Sequence, residues 1–393
     1  MKILIAHKFY YRRGGDSVYA MELEQLLTRH GHEVAVFSMD YPRNIGTLWS
    51  RYFPGNMRIW MAATRPFGSQ EVIKKFGKLL DDFRPDVVHL NNIHTQLSPV
   101  IAELARQRGV RVVWTVHDYK LLCPRYDCLR GGKDVCELCF DGDKRPCLAH
   151  RCMKGSWLKS WIGYREAVKW NRARLEACTD LFICPSRFMA DKMAQGGFSR
   201  EKLEALHNFI DVEKCQKSDY GKDDYYCYVG RLSHEKGVST LIEAASRLPY
   251  RLKIIGEGPL LEQLKTKNEK LNGNAEFLGF KQWDDIKEIV GRARFTVTPS
   301  EWYEVFGLVN IEAQCLGTPV LGARIGGIPE LIDEGVNGMT FTSGDADDLE
   351  DKIKRMYAAA FNHEAIAREA MRRYNTEAYY AKIMDVYNKR QTS

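Results

Sequence analysis

Residues 295–324 read FTVTPSEWYEVFGLVNIEAQCLGTPVLGAR, and their alternation of structure types sets the fold class. FTVTPS is a short β-branched run, GLVNIEAQCLG has helical spacing from near Gly307 to Gly317, and PVLGAR is a second apolar run. A strand, a helix and a strand in so short a span form a crossover unit, in which the two strands lie parallel. The alternation extends upstream. Strand candidates in the first half are KILIAHKF, HEVAVFSM, DVVHLNN, RVVWTVHD and LFICPS; YYCYVGR, RLKIIGEG and AEFLGF follow in the second. Near-continuous Val, Ile and Leu suit strands covered on both faces by helices. Two successive series predict an α/β chain of two doubly wound, Rossmann-like parallel-sheet domains.

The seam falls at 206–226, LHNFIDVEKCQKSDYGKDDYY, where polar residues interrupt the pattern. It separates a domain over 1–206 from one over 207–375. A last helix over 376–393, starting at about Thr376, can return to the first domain. At 393 residues the chain exceeds what one hydrophobic core usually serves. With 45% hydrophobic and 28% charged residues, the composition is that of a globular protein. No apolar run approaches the roughly 18–20 residues of a membrane span. The N-terminal MKILIAHKFYYRRGG is too short in apolar residues for a secretory signal, so a cytoplasmic location is expected.

The net charge of +7 is unevenly spread. Residues 1–206 hold 33 Lys and Arg against 22 Asp and Glu, whereas the remainder hold 25 against 29. A basic first half suits an anionic partner: nucleic acid, an anionic membrane or a phosphorylated substrate. Neither half has G-x-G-x-x-G at its first strand–helix turn. IIGEGPLLEQL supplies Gly256 and Gly258 but no third glycine, which disfavours a dinucleotide dehydrogenase.

Glu304 and Glu312 bracket a stretch without other charge. Glu304 precedes the predicted helix and Glu312 lies in its second turn. Five helical residues rise only roughly 7–8 Å, so both carboxylates can address one ligand. Free N–H groups around Phe306, Gly307 and Leu308 point to the same place, although capping by Glu304 would explain it too. In YVGRLSHEKGVSTLIEAASRL, Arg231 and Lys236 follow a strand and precede a helix, a placement that suits a diphosphate, although ordinary solvated charge would explain either residue taken singly. Gly14 and Gly15, in YYRRGGDSVYA, let backbone approach an anion at a helix N-terminus, or simply form a turn.

The segments VGRLSHEKG, PSEWYEVFGLVNIEA and GTPV…GGIPE, with the early Gly-Gly loop and TVHDY, resemble the signatures of retaining, nucleotide-sugar-dependent glycosyltransferases of family 4. The similarity spans nearly the whole chain. It implies the GT-B architecture, two domains facing a central cleft. It also implies roles: Glu304 contacts the donor sugar near the reacting carbon, and Glu312 accepts hydrogen bonds from the ribose. Arg231 and Lys236 neutralise the diphosphate, Gly15 approaches it from the other domain, and His117 lines the sugar pocket. Val305 stands where the family often has proline. The implied substrates are a UDP- or GDP-sugar and a glycan or lipid-linked acceptor, in surface polysaccharide biosynthesis. No catalytic metal is expected, because cations and helix N-termini can stabilise the leaving diphosphate. The alternatives are a nucleotide-sugar epimerase of the same architecture and a non-catalytic nucleotide- or glycan-binding protein.

Two segments lie outside that scheme. An insertion over 123–152 holds six of the eleven cysteines. Cys136, Cys139, Cys147 and Cys152 have a spacing suited to a structural zinc, to free thiols or to disulfides. Next, Arg151–Arg174 carries seven basic residues and one acid, interleaved with Trp157, Trp161, Tyr164 and Trp170. An anionic membrane surface or ordinary core packing would each account for it; no recognised nucleic-acid module accompanies it.

Overall fold

The computed structural model describes residues 1–55, 64–217 and 219–389. The chain divides into two compact units, one of residues 1–131, 136–207 and 379–393, the other of 132–135 and 208–378.

The first unit is built on a six-stranded sheet of β1 (Lys2–Ala6), β2 (Glu33–Phe37), β3 (Val87–Leu90), β4 (Arg111–Thr115), β5 (Leu181–Cys184) and β6 (Leu203–Ala205). All neighbours pair parallel, in the order β2-β1-β3-β4-β5-β6. The second unit repeats the scheme with β7 (Tyr226–Val229), β8 (Leu252–Ile255), β9 (Ala275–Gly279), β10 (Thr296–Thr298), β11 (Val320–Ala323) and β12 (Gly338–Phe341). Its order is β9-β8-β7-β10-β11-β12, again all parallel. The expected two Rossmann-like sheets are therefore present. Central strands such as Ile3–Ala6 and Val320–Ala323 are buried along their length, which explains their unbroken apolar sequence.

Strand order reverses once in each sheet, and ligands of open α/β sheets bind outside the carboxyl ends of the strands at that reversal. In the first unit it lies between β1 and β3, in the second between β7 and β10.

Four helices matter most for function: α1 (Gly15–Arg29), α2 (Trp157–Lys169), α3 (Leu308–Cys315) and α4 (Thr376–Asn388). From Tyr379 onward α4 belongs to the first unit. It is tied there by buried polar contacts: Tyr379 hydroxyl with Tyr19 hydroxyl, and Tyr387 hydroxyl with His89 Nδ1 at 2.6 Å. The other His89 nitrogen meets Thr115 Oγ1 at 2.7 Å, so both ring nitrogens of a fully buried histidine are satisfied.

The tryptophans of Arg151–Arg174 separate. Trp170 is buried and donates its ring N–H to Pro66 O at 2.7 Å, whereas Trp157 and Trp161 are exposed. Among the described residues no helix is long and apolar enough to cross a membrane.

Candidate active site

In the second unit, the loops leaving β7 and β10 carry the predicted residues. Gly230 and Arg231 leave β7; Pro299 to Phe306 leave β10. Lys236 Nζ lies 2.7 Å from Glu304 Oε2. The same oxygen accepts from Trp302 Nε1 at 3.0 Å and from Ser300 Oγ at 3.2 Å, and the ammonium sits 5.0 Å from the Trp302 ring centroid. Burial raises the carboxyl's pKa, but Lys236 and the two hydrogen bonds outweigh it and hold the group below its ordinary value. Glu304 is thus an ionised carboxylate at neutral pH.

Glycines make this geometry possible. Gly326 has φ +62°, and a Cβ there would lie 2.3 Å from Glu304 O; Gly327 N–H donates to that oxygen at 2.7 Å. The turn after Lys236 is equally tight, since a Cβ on Gly237 would sit 1.8 Å from Pro299 O. Only residues without a Cβ let the three loops approach so closely. The Arg231 guanidinium is exposed and forms no ion pair among the described residues.

Helix α3 starts at Leu308 with Gly307 as its N-cap, at φ +97° and without a side-chain cap. The backbone end of the helix therefore remains available to an anion. The Phe306 ring is buried in the unit's core against Tyr374, so only its backbone is at the loop. Leu308 packs against the same core from a partly buried position. Glu312, one turn further, lines a small cavity with Val229, Trp283, Val297, Val309 and Leu316. The two glutamates thus have different surroundings, one cationic and one largely apolar.

The first unit holds its own polar cluster at the β1/β3 reversal. Gly14 and Gly15 are exposed at the start of α1, where Ser17 Oγ accepts from Gly14 N at 3.1 Å. Next to them, Asp16 Oδ2 accepts from Asn92 Nδ2 at 2.9 Å and from His7 Nε2 at 3.2 Å. Lys8 Nζ donates to Asn92 Oδ1 at 2.8 Å. Burial opposes ionisation of Asp16, yet the His7 hydrogen bond and charge hold its carboxyl far below the ordinary range. His117 Nε2 donates to Asn91 Oδ1 at 2.9 Å. Burial pushes the His117 pKa down to about 4, so the ring is neutral at pH 7 with Nδ1 as an acceptor. The fully buried Asn91 keeps an Nδ2 without a hydrogen-bond partner. Lys8, Asp16, Asn91 and Asn92 were not singled out from sequence.

Of the cysteine quartet, Cys139, Cys147 and Cys152 lie close enough to interact electrostatically with one another and with Cys123. Among the described residues no three His, Cys, Asp or Glu side chains are arranged to hold a metal ion, and all eleven cysteines are free. The closest thiol pairs are Cys123 with Cys128 and Cys147 with Cys152. Cys128 has φ +55°, which turns it back toward Cys123, while Cys136 is held through its N–H on Cys128 O at 2.7 Å. Cys139 is buried, and its carbonyl accepts from Lys144 Nζ.

Two parallel six-stranded sheets with polar clusters at both strand-order reversals define a two-domain, Rossmann-like α/β protein. Residues 13–214 match the family model Glycosyltransferase Family 4, and residues 210–377 match Glycosyl transferases group 1. The chain therefore belongs to the family 4 glycosyltransferases. Among its relatives is a 42.6 kDa protein of the cps region of Klebsiella pneumoniae, 25% identical over 84% of this chain and 87% of that protein. The sulfoquinovosyl transferase SQD2 of Arabidopsis thaliana is 27% identical over 77% of this chain and 56% of its own. Of solved structures, Anabaena Alr3699/HepE in complex with UDP superposes with a TM-score of 0.68 at 19% identity, covering 98% and 99% of the two chains. The lipopolysaccharide outer core galactosyltransferase WaaB superposes with a TM-score of 0.70 at 16% identity, covering 98% of each. These likenesses bear out the GT-B fold.

Proposed function

We propose that the protein transfers a sugar, with retention of configuration, from a UDP- or GDP-sugar to a glycan or lipid-linked acceptor in surface polysaccharide biosynthesis. The observation that carries this reading is the Lys236–Glu304 pair at the strand-order reversal of the second unit. Cleaving the bond between the anomeric carbon and the diphosphate leaves positive charge on the sugar and negative charge on the departing phosphate. An ionised carboxylate beside a fixed ammonium offers each charge a counterpart.

In this scheme Lys236 and Arg231 meet the diphosphate, with the uncapped N-terminus of α3 as a further electropositive group. Glu304 faces the sugar at the reacting carbon. Glu312 accepts from the ribose hydroxyls beside its apolar cavity. In the first unit, neutral His117 offers Nδ1 to a sugar hydroxyl, and Gly14 and Gly15 approach the anion through backbone N–H groups. No step in this scheme requires a divalent metal. The relatives support the class of substrate: the solved Alr3699/HepE structures contain UDP and UDP-glucose, and the Klebsiella relative comes from a cps region.

The test is incubation with labelled UDP- and GDP-sugars with and without glycan acceptors. Acceptor-dependent transfer is the expected result. Isomerised sugar in the absence of acceptor would indicate an epimerase, and binding without turnover a non-catalytic protein.

A further inference from the structure

Helix α2 is built inside out. Its buried positions are Ser160, Gly163 and Glu166, all poor candidates for a hydrophobic core. Each is buried for a specific reason. Ser160 Oγ accepts from Met153 N at 3.0 Å; a Cβ on Gly163 would meet the Met153 side chain at 3.3 Å; Glu166 pairs with Lys120 at 2.8 Å. Opposite them, Trp157, Leu158, Trp161 and Val168 are 54%, 60%, 39% and 46% exposed. At about 100° per residue these four and Arg165 fall in one arc of the helix. A helix bordering water presents the opposite pattern, so this face lacks its partner.

Charge narrows the choice of partner. Arg151 and Lys154, just before the helix, and Arg165, within the apolar arc, are exposed, and the Arg165 guanidinium lies 5.6 Å from the Trp161 ring centroid. The one acid from Arg151 to Arg174 is Glu166, already neutralised in the interior by Lys120. A second copy docking through this face by two-fold symmetry would bring like charges together. Single-stranded nucleic acid could use the rings and cations but has no use for Leu158 and Val168. Tryptophan, aliphatic and cationic side chains without acids match the interface of an anionic bilayer, where indoles sit at headgroup depth.

We propose that α2 docks the protein on an anionic phospholipid surface, inserting Trp157, Leu158, Trp161 and Val168 while Lys154 and Arg165 meet the headgroups. The idea builds on the proposed function only in that a lipid-linked acceptor would be met there. Lys169 takes no part, because its ammonium is bound to Phe67 O.

The full chain is floated with phosphatidylcholine vesicles and with vesicles containing phosphatidylglycerol, without donor or acceptor, so the result is independent of whether transfer occurs. Recovery is expected only with the anionic vesicles and should fall as salt rises. The Lys154→Gln, Arg165→Gln variant should lose about fivefold in partitioning per charge. A Trp157→Ser, Leu158→Ser, Trp161→Ser variant should lose anionic binding while keeping the wild-type melting temperature and nucleoside diphosphate affinity, since these side chains are exposed. Equal recovery with neutral and anionic vesicles, or unchanged binding by the serine variant, would overturn the proposal. So would a wild-type dimer that the serine variant converts to monomer, which would assign the face to a second copy.

Discussion

Lys236 and Glu304, 68 residues apart, place ammonium and carboxylate 2.7 Å apart across two loops of the second unit, over the ring of Trp302. Each residue orients the other before any ligand arrives. Because Lys236 lowers the Glu304 pKa, replacing it has two separable effects. Lys236→Ala should reduce kcat by about 10²-fold or more through loss of leaving-group stabilisation. It should also raise the Glu304 pKa, moving the acid limb of the kcat/KM profile to higher pH. A pH–rate profile of the variant measures both; an unshifted acid limb would separate the two residues functionally.

Glu312 has a different neighbourhood and should behave differently. Glu312→Gln is expected to weaken nucleoside diphosphate binding about tenfold, since a hydrogen bond to a charged acceptor is worth about 1.5–3 kcal/mol. Titration calorimetry checks it.

Gly326 tests the backbone beneath Glu304. Its positive φ and the 2.3 Å approach to Glu304 O leave no room for a methyl group. Gly326→Ala should cost more than about 1 kcal/mol in stability, measured by denaturant unfolding, and should lower kcat more than nucleotide affinity.

Acid should weaken the first unit. Burial lowers the pKa of His89 to about 3 and of His117 to about 4, against 6.5 for a free histidine. Below about pH 6.5 the unfolded chain therefore binds protons that the folded chain refuses. Stability should fall with decreasing pH across that window, by up to about 1.4 kcal/mol per pH unit for each such histidine. Unfolding melts from pH 7.5 to 5 on wild type and on His89→Gln measure this, the variant showing the shallower slope.

The sheets were legible because buried parallel strands leave unbroken apolar runs, as at Val320–Ala323. Glu304, Lys236 and the glycines at 326–327 were visible because each lies in a short local motif. The Lys8–Asp16–Asn92 cluster was not, because Lys8 and Asn92 are 84 residues apart and meet only through β1–β3 pairing. The Asn-Asn following the DVVHL run was the one available signal. Trp157, Trp161 and Trp170 looked alike in sequence. What sorts them is the Lys120–Glu166 pair, which turns one face of α2 inward, and helical spacing carries no information about that contact. The cysteine spacing left a structural zinc, free thiols and disulfides open, and it carried no sign that Cys123 would neighbour Cys128 and Cys147 would neighbour Cys152.

The central claim is that Glu304 acts on the sugar of a bound nucleotide sugar. It is tested most directly by comparing wild type and Glu304→Gln in acceptor-dependent transfer from UDP- and GDP-sugars, alongside nucleoside diphosphate affinity. Wild type should transfer the sugar with the donor's anomeric configuration, read by NMR of the product. The variant should lose about 10³-fold in kcat while its nucleotide Kd stays within about threefold. Wild-type turnover by Glu304→Gln, with donor and product identified, would contradict the assignment.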